Sequence, residues 1–410
     1  MSDSPSFTRT VGIDWGTQEH QVCVLTTATG ATRQQAFAHS DDGLRNLLAW
    51  LAELAATPAS AGVAIEVPCG PVVEALQAAG YAVFAINPKQ LDRFRDRFSP
   101  AGAKDDARDA EVLALALANA ADRRAFKHVP LPSPILFALR ETSRLDQQFR
   151  ADFRRAANQL RDILLRALPD LLALCPAADE PWLWDLLEQA CAEDRLRALR
   201  PATVSDLLKR HRKRKVTAAD LLAALKARPT AVLPGSLAAA FLRLRLMLPL
   251  LRTLHDSLAS THRELVRLVA QSGRLAVILD SHKGIDARIA AGMLAEVSQA
   301  LEAADLHALR VIGGTAPVTR KSGKSLYTVR MRRAVNVRFR NLLRHWARTA
   351  ARADPYSRDF YLNARARGLS HEQALRSLAD SLLRCLVATI RSDSLYDPDR
   401  RSRGSTTVAA

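Results

Sequence analysis

Over the first 40 positions, apolar and polar residues alternate with a short period. RTVGID (9–14) and HQVCVLTT (20–27) are β-rich runs joined by the turn-like WGTQE, and TRQQAFAH (32–39) supplies a third strand after Gly30. The period then lengthens. DGLRNLLAWLAELAA (42–56) predicts a helix capped near Ser40–Asp42, followed by a strand at GVAIEV, a helix at PVVEALQAAG and a strand at YAVFAIN that runs into NPKQL. A further helix is predicted from AGAKDDARDAEVLALALA (101–118).

The order βββαβαβα describes a mixed sheet with helices packed on it, an RNase H-like architecture. From about residue 135 the pattern changes to long helices. Phe149, Phe153, Ala156, Leu160, Ile163 and Ala167 are spaced four and three alternately, and a second seam runs through Met247, Leu251, Leu254, Leu258, Thr261, Leu265 and Leu268. Coiled-coil arms that pair with each other or with another subunit are expected. LAVILDSHKGIDARIAAGMLAEV predicts two helices around a glycine hairpin, whose Gly284 would present backbone N–H groups to phosphate beside His282 and Lys283. The expected class is α/β plus α. A sheet domain spans 1–130, a helical linker with a basic insert 131–272, a mostly helical C-terminal domain 273–400 and a disordered tail 401–410.

Charge narrows the partners. Fifty-nine Lys and Arg against 42 Asp and Glu leave a formal net charge of +17, which favours polyanions, nucleic acid first among them. The start MSDSPSFTRT has neither a charged n-region nor an apolar h-region, and FLRLRLMLPLL is interrupted by Arg243 and Arg245, so neither a signal nor a membrane span is expected. Cys23, Cys69, Cys175, Cys191 and Cys385 lack metal-ligand spacing and fit a reduced cytoplasm. Two cationic stretches stand out. KRHRKRK contains Lys209, Arg210, Arg212, Lys213, Arg214 and Lys215 with no acid, and is either a solvated surface run or a set of phosphate contacts. Residues 320–344 contain nine Lys and Arg and no Asp or Glu, among them Arg320, Lys321, Lys324, Arg330, Arg332, Arg333, Arg340 and Arg344. Their last part is two-faced: Val335, Phe339, Leu342, Leu343 and Trp346 form an apolar stripe opposite Arg333, Arg340, Arg344 and Arg348, a face that calls for an anion.

Against this basic background four acids occupy unusual places. In helix phase, Asp106 and Asp109 continue the stripe of Ala110, Leu113 and Leu117, so both are expected to face the sheet. Asp14 ends the first strand, and Glu66 is read as lying within the apolar central strand, where an unpaired carboxylate costs several kcal/mol. Capping is the competing account of Asp105 and Asp106, since acids are favourable in a first turn anyway. Oxygen-only ligands select Mg²⁺ or Mn²⁺.

These residues resemble the DEDD transposases of the IS-one-ten insertion-sequence family. VGIDWGTQEHQVCVL looks like the family's opening strand, AIEVPCG like its Glu strand, and NPKQLDRFR…KDDARDAEVLA like its final acidic motif, with Asp105 where Thr is usual. The resemblance implies that Asp14, Glu66, Asp106 and Asp109 form a RuvC-like, Mg²⁺-binding tetrad. GGTAPVTRKSGKS followed by VRMRRAVNVRFRNLL looks like the family's second domain, which makes Ser322 the implied nucleophile and a 5′-phosphoserine the implied intermediate. The glycine hairpin departs from the family's usual Pro-Gly-Ile-Gly. The resemblance further implies DNA partners at the element ends and target, a structured guide RNA, and a homodimer or homotetramer. Two other readings remain at this point: a Holliday-junction-resolvase-like nuclease in which water attacks, and a non-catalytic nucleic-acid-binding protein.

Overall fold

The computed structural model describes residues 7–98, 105–119, 121–190, 198–227, 233, 235–322 and 326–399, with side chains left undescribed at 98, 319–322 and 326–330. Lys324, Cys191 and the tail 401–410 lie outside the described residues. The chain divides into two compact units, 1–132 and 133–410.

The first unit is built on strands β1 (Arg9–Asp14), β2 (Glu19–Thr26), β3 (Thr32–Ala38), β4 (Ala61–Ile65), β5 (Ala82–Ala85) and β6 (Lys127–Val129), in the order β3-β2-β1-β4-β5-β6. β2 is antiparallel to β1 and β3, β4 is parallel to β1 and β5, and β6 closes the far edge antiparallel to β5. Helices α1 (Asp41–Glu53), α2 (Pro71–Ala78), α3 (Pro88–Phe98) and α4 (Asp106–Ala118) complete it. The mixed sheet is compatible with the RNase H-like expectation; α3 and β6 are additions to it.

The side-chain period of two sorts the sheet's faces. Val11 and Ile13 of β1, with Val63 and Ile65 of β4, join Leu47, Leu51, Val72 and Leu76 in one core. Ala64 of the opposite face packs with Leu91, Leu113, Ala116 and Leu117. Gly12 also belongs to that second face. A Cβ there would stand 1.9 Å from the Ala110 carbonyl oxygen and 2.6 Å from the Ala114 nitrogen, so only glycine lets α4 lie this close to β1. Thr10 fastens the contact by donating its hydroxyl to the Ala114 carbonyl at 2.8 Å.

The second unit is helical: α5 (Pro134–Ala167), α6 (Pro169–Leu174), α7 (Pro181–Gln189), α8 (Pro201–Arg210), α9 (Ala218–Lys226), α10 (Ser236–Ala270), α11 (Gly273–Ser281), α12 (Ala287–Glu302) and α13 (Leu306–Gly313). Then come the hairpin β7 (Pro317–Ser322) and β8 (Leu326–Met331), and helices α14 (Val337–Ala353), α15 (Pro355–Ala366) and α16 (His371–Arg391). α5 and α10 pack on each other. They feed two cores: Leu160 and Leu251 of the seams, with Leu164 and Leu248, meet Trp182, Trp184 and Leu207 in one, while the seam residues Leu265 and Leu268, with Leu139, join Met293, Phe339, Trp346 and Leu382 in the other. α14 begins only at Val337, behind the Asn336 cap, so Arg333 and Val335 precede the helix on which they were expected.

Candidate active site and basic surfaces

β1 and α4 run antiparallel, with Thr10 opposite Ala114 and Gly12 under Ala110 and Leu113. Two residues further along β1 is Asp14, on the same face, and one turn back along α4 are Asp109 and Asp106. The last β1–β4 pair is Ile13↔Ile65, so Asp14 and Glu66 stand side by side one step beyond it. Sheet register and a single glycine contact thus carry all four acids toward the same strand ends. Electrostatics records the result. Burial pushes the Asp14 carboxyl up to about 6, and the negative charges of Asp109, Asp106 and Glu66 push in the same direction, with the Arg95 guanidinium opposing them.

Individual placements differ from the expectation. Asp109 is buried, at 2% exposure, but Asp106 is exposed. Asp105 is the N-cap of α4, its carboxylate accepting from the Ala107 N–H at 3.4 Å, so capping does explain that member of the cluster. Glu66 is half-buried one residue past the end of β4, not enclosed within the strand. The desolvation argument from a fully buried strand does not apply to it; its neighbours do.

Arg95 of α3 was not anticipated. Its guanidinium forms two hydrogen bonds with the Asp109 carboxylate, Nη2 to Oδ2 at 2.7 Å and Nε to Oδ1, and a third at 2.6 Å with Asp92. The available signal was the i,i+3 Asp92–Arg95 pair beside the NPKQL motif, but the partner fourteen residues on was not readable from it. Among the described residues no three of His, Cys, Asp and Glu are gathered as a ready ligand set. The donor chemistry nevertheless fits a hard divalent cation: Asp14, Glu66, Asp106 and Asp109 offer only oxygen, the other three all raise the Asp14 carboxyl, and the Arg95 guanidinium already neutralises Asp109, the most buried of them.

In the second unit, Ser322 ends β7, in register with Leu326 of β8. Arg320, Lys321 and Arg330 lie on the same hairpin. Arg332 donates to the Ala334 carbonyl at 3.2 Å, Arg333 is exposed, and Arg344 pairs with Glu372. Arg340 has no ion pair among the described residues.

The run 209–215 is less free than its sequence implied. Lys209 lies within 3.4 Å of Asp206, His211 within 2.6 Å of Asp185, and Lys213 pairs with Glu180. Arg210, Arg212, Arg214 and Lys215 have no ion pair among the described residues. The glycine hairpin is held against the fold. His282 is buried, with Nε2 3.0 Å from the Thr389 hydroxyl. The Lys283 and Gly284 carbonyls accept from Trp346 and Thr349, and a Cβ on Gly284 (φ +86°) would meet the Ala350 nitrogen at 2.6 Å. This turn exists to pack against α14.

The first unit is thus a mixed α/β domain with Asp14 and Glu66 at its strand ends, and the second a helical unit that carries a basic hairpin. Comparison with known proteins identifies the chain further. Residues 11–169 match the model of a DEDD transposase domain, and residues 276–362 match the transposase domain of the IS116/IS110/IS902 family. The 44.8 kDa protein of insertion element IS116 from Streptomyces clavuligerus is 30% identical over 331 residues, covering 79% of this chain and 80% of that one. The protein named as transposase of the IS117 mini-circle of Streptomyces coelicolor is 29% identical over 96% of this chain and 97% of that one. A Sinorhizobium fredii protein named as a transposase, y4uE, is 43% identical over 211 residues, which span 50% of this chain and 58% of that relative. The chain belongs to the IS116/IS110/IS902 transposase family, and membership carries DNA binding and DNA transposition with it. No helix among the described residues is long and apolar enough to cross a membrane.

Proposed function

We propose that the chain recombines the DNA of an insertion sequence by a metal-dependent, serine-mediated strand transfer. The observation that supports the reading is the register that sets Asp14 beside Glu66 one step beyond the last β1–β4 pair, with α4 and its Asp109 packed on β1; burial first, and then the charges of Asp109, Asp106 and Glu66, push the Asp14 carboxyl up to about 6. Acids brought together by fold register are costly in isolation and useful around a cation. Asp14 and Asp109 are the inner ligands of this reading, Glu66 and Asp106 the outer ones facing substrate. Mg²⁺, or Mn²⁺, would supply Lewis-acid stabilisation of charge on the scissile phosphate. Asp109 has to exchange its bonds with Arg95 before it can serve, and Arg95 is then free to turn toward a phosphate oxygen.

Ser322 is the nucleophile of this reading. Its Oγ–P bond forms as the P–O3′ bond breaks, the hydroxyl proton leaves to solvent or to a basic group, and the departing strand takes its 3′-oxygen as a hydroxyl. The 5′-phosphoserine retains an ester bond for the reverse attack, so strands rejoin without external energy. Arg320, Lys321 and Arg330 supply positive charge on the same hairpin, and Lys324 is a further cation of the same stretch of sequence. A structured guide RNA and assembly of two or four chains complete the proposal, supported by the family resemblance and the net charge of +17.

The test is a denaturing gel of protein incubated with element-end DNA and Mg²⁺. Wild-type protein should give a covalent adduct, lost on chelation or with Asp14→Asn, and lost with Ser322→Ala. An adduct undiminished by Ser322→Ala removes the serine. Cleavage to free 5′-phosphate ends without adduct points instead to water as nucleophile, the resolvase-like alternative. RNA sequencing of the purified protein checks the guide.

A further inference from the structure

At the root of the β7–β8 hairpin, where Pro317 pairs with Met331, lies a cavity of about 320 Å³. Its wall includes Gly314, Thr315, Arg340, Arg344, Glu372 and Arg376. Gly314 (φ +73°) ends α13, and the Thr315 N–H folds back to the Arg310 carbonyl at 3.0 Å. That turn leaves the Thr315 hydroxyl buried and, among the described residues, without a hydrogen-bond partner. An unsatisfied buried hydroxyl costs about 1–3 kcal/mol, which is unusual unless a ligand completes it.

The arginines tell the same story. Arg376 of α16 is half-buried and has an acid one helical turn away on either side, Glu372 at i−4 and Asp380 at i+4, the spacing that ordinarily makes a pair. It bonds neither. Glu372 is taken by Arg344, and Asp380 by both Arg310 at 2.6 Å and Arg384 at 2.9 Å. Arg340, also half-buried, has no ion pair among the described residues. Arg340 and Arg376 therefore line one cavity without an ion pair among the described residues, while Glu372 and Arg344 on the same wall pair with each other. The planar fork of arginine matches phosphate oxygens, and a partly desolvated cation of this kind is favourable only with an anion beside it.

We propose that this cavity holds one backbone phosphate of a bound nucleic acid, clamped by Arg376 and Arg340 with the Thr315 hydroxyl as third donor. The inference rests on nucleic acid being the partner and on neither the metal nor the serine of the proposed chemistry. Its role is to seat a strand at the foot of the hairpin that carries Ser322.

The experiment measures affinity of the full chain, in chelator, for a labelled duplex DNA and for a single-stranded RNA of the same sequence, between about 50 and about 200 mM salt. Arg376→Gln should flatten the slope of log affinity against log salt by about 0.9 on the duplex or about 0.7 on the single strand. Arg384→Gln, outside the cavity, should leave it unchanged. A flattened slope on one ligand identifies whether DNA or RNA occupies the site. Should Arg376→Gln fail to fold, Arg340→Gln gives the same readout. Thr315→Val should weaken binding several-fold without altering the slope, since the lost donor is neutral. Wild-type slopes on both ligands for a folded Arg376→Gln or Arg340→Gln protein overturn the proposal. Because metal is absent throughout, that result would leave the cleavage chemistry standing, and loss of cleavage in Asp14→Asn would leave the pocket standing.

Discussion

The acid cluster of the first unit and the cationic cavity of the second are assembled by opposite means. In the first, strand register does the work: Asp14 and Glu66 are neighbours because Ile13 and Ile65 are paired, and Asp109 joins them because Gly12 lets α4 lie on β1. Like charges are brought together and one arginine is spent against them. In the second, charges of both signs are present, but Glu372 and Asp380 are claimed by Arg344, Arg310 and Arg384, so Arg340 and Arg376 have no ion pair among the described residues. One site is frustrated by concentrating a sign, the other by diverting its partners. The difference matters because removing a residue should relieve the first and expose the second.

The largest expected effect breaks the register itself. Gly12→Ala places a methyl carbon against the Ala110 carbonyl, a backbone atom that cannot yield without moving α4. Overpacking of this kind should cost about 3 kcal/mol or more and abolish DNA cleavage. Gly284→Ala is the matching lesion in the second unit, against the Ala350 backbone. Chemical denaturation of both variants checks the pair, and a near-neutral Gly12→Ala would show that the acids do not depend on the α4–β1 contact.

Next comes the arginine. Arg95→Met leaves the 2%-exposed Asp109 without its bidentate partner. Orphaning a buried charge typically costs about 3–5 kcal/mol, and the 21% exposure of the Arg95 side chain places the expected loss at about 2–3 kcal/mol. If Asp109 is a metal ligand, added Mg²⁺ should recover more of the melting temperature in this variant than in wild type. Equal shifts in both would argue that Arg95 and the cation do not compete.

Asp14 sharpens the comparison through pH. Its folded value near 6 lies above the ordinary 3.8, so between these values the folded chain holds a proton that the unfolded chain has released. Stability from this group is therefore present below about pH 4 and lost as pH rises through 6. Asp14→Asn should stabilise the metal-free protein at about pH 7.5 and give no gain at about pH 4. Urea midpoints at the two values decide it; stabilisation only at the acid end would reverse the sign of the argument.

How much of this was legible beforehand follows the same division. Strand alternation showed RTVGID and GVAIEV, and helix phase put Asp109 on the apolar side of α4, because both depend on spacing within a few residues. β4 ends at Ile65, two positions before the end of GVAIEV, which moves Glu66 from the strand interior to its mouth. Helix phase failed for Asp106 because a first-turn residue can project past the edge of the sheet it points toward. Arg95 was missed because Asp109 is remote along the chain from α3's own pattern. For a related cause HKGID reads only as a phosphate-binding turn, and the approach of α14 adds why glycine is required there. Arg376 was invisible, since its character depends on what Glu372 and Asp380 bond.

The smallest effects separate the cations of the 209–215 run, where sequence alone could not tell a solvated surface from a phosphate contact. Lys213 pairs with Glu180, whereas Arg214 has no ion pair among the described residues. Lys213 is therefore spoken for within the fold, and its loss to Ala should cost up to about 1 kcal/mol while barely changing nucleic-acid affinity. Arg214→Ala should alter stability by less than about 0.5 kcal/mol. If the run touches phosphate, Arg214→Ala should reduce the salt slope of nucleic-acid binding by up to about one. An unchanged slope for Arg214→Ala returns the run to solvent and leaves the cavity at Arg376 as the more telling place where this chain's surplus charge is aimed.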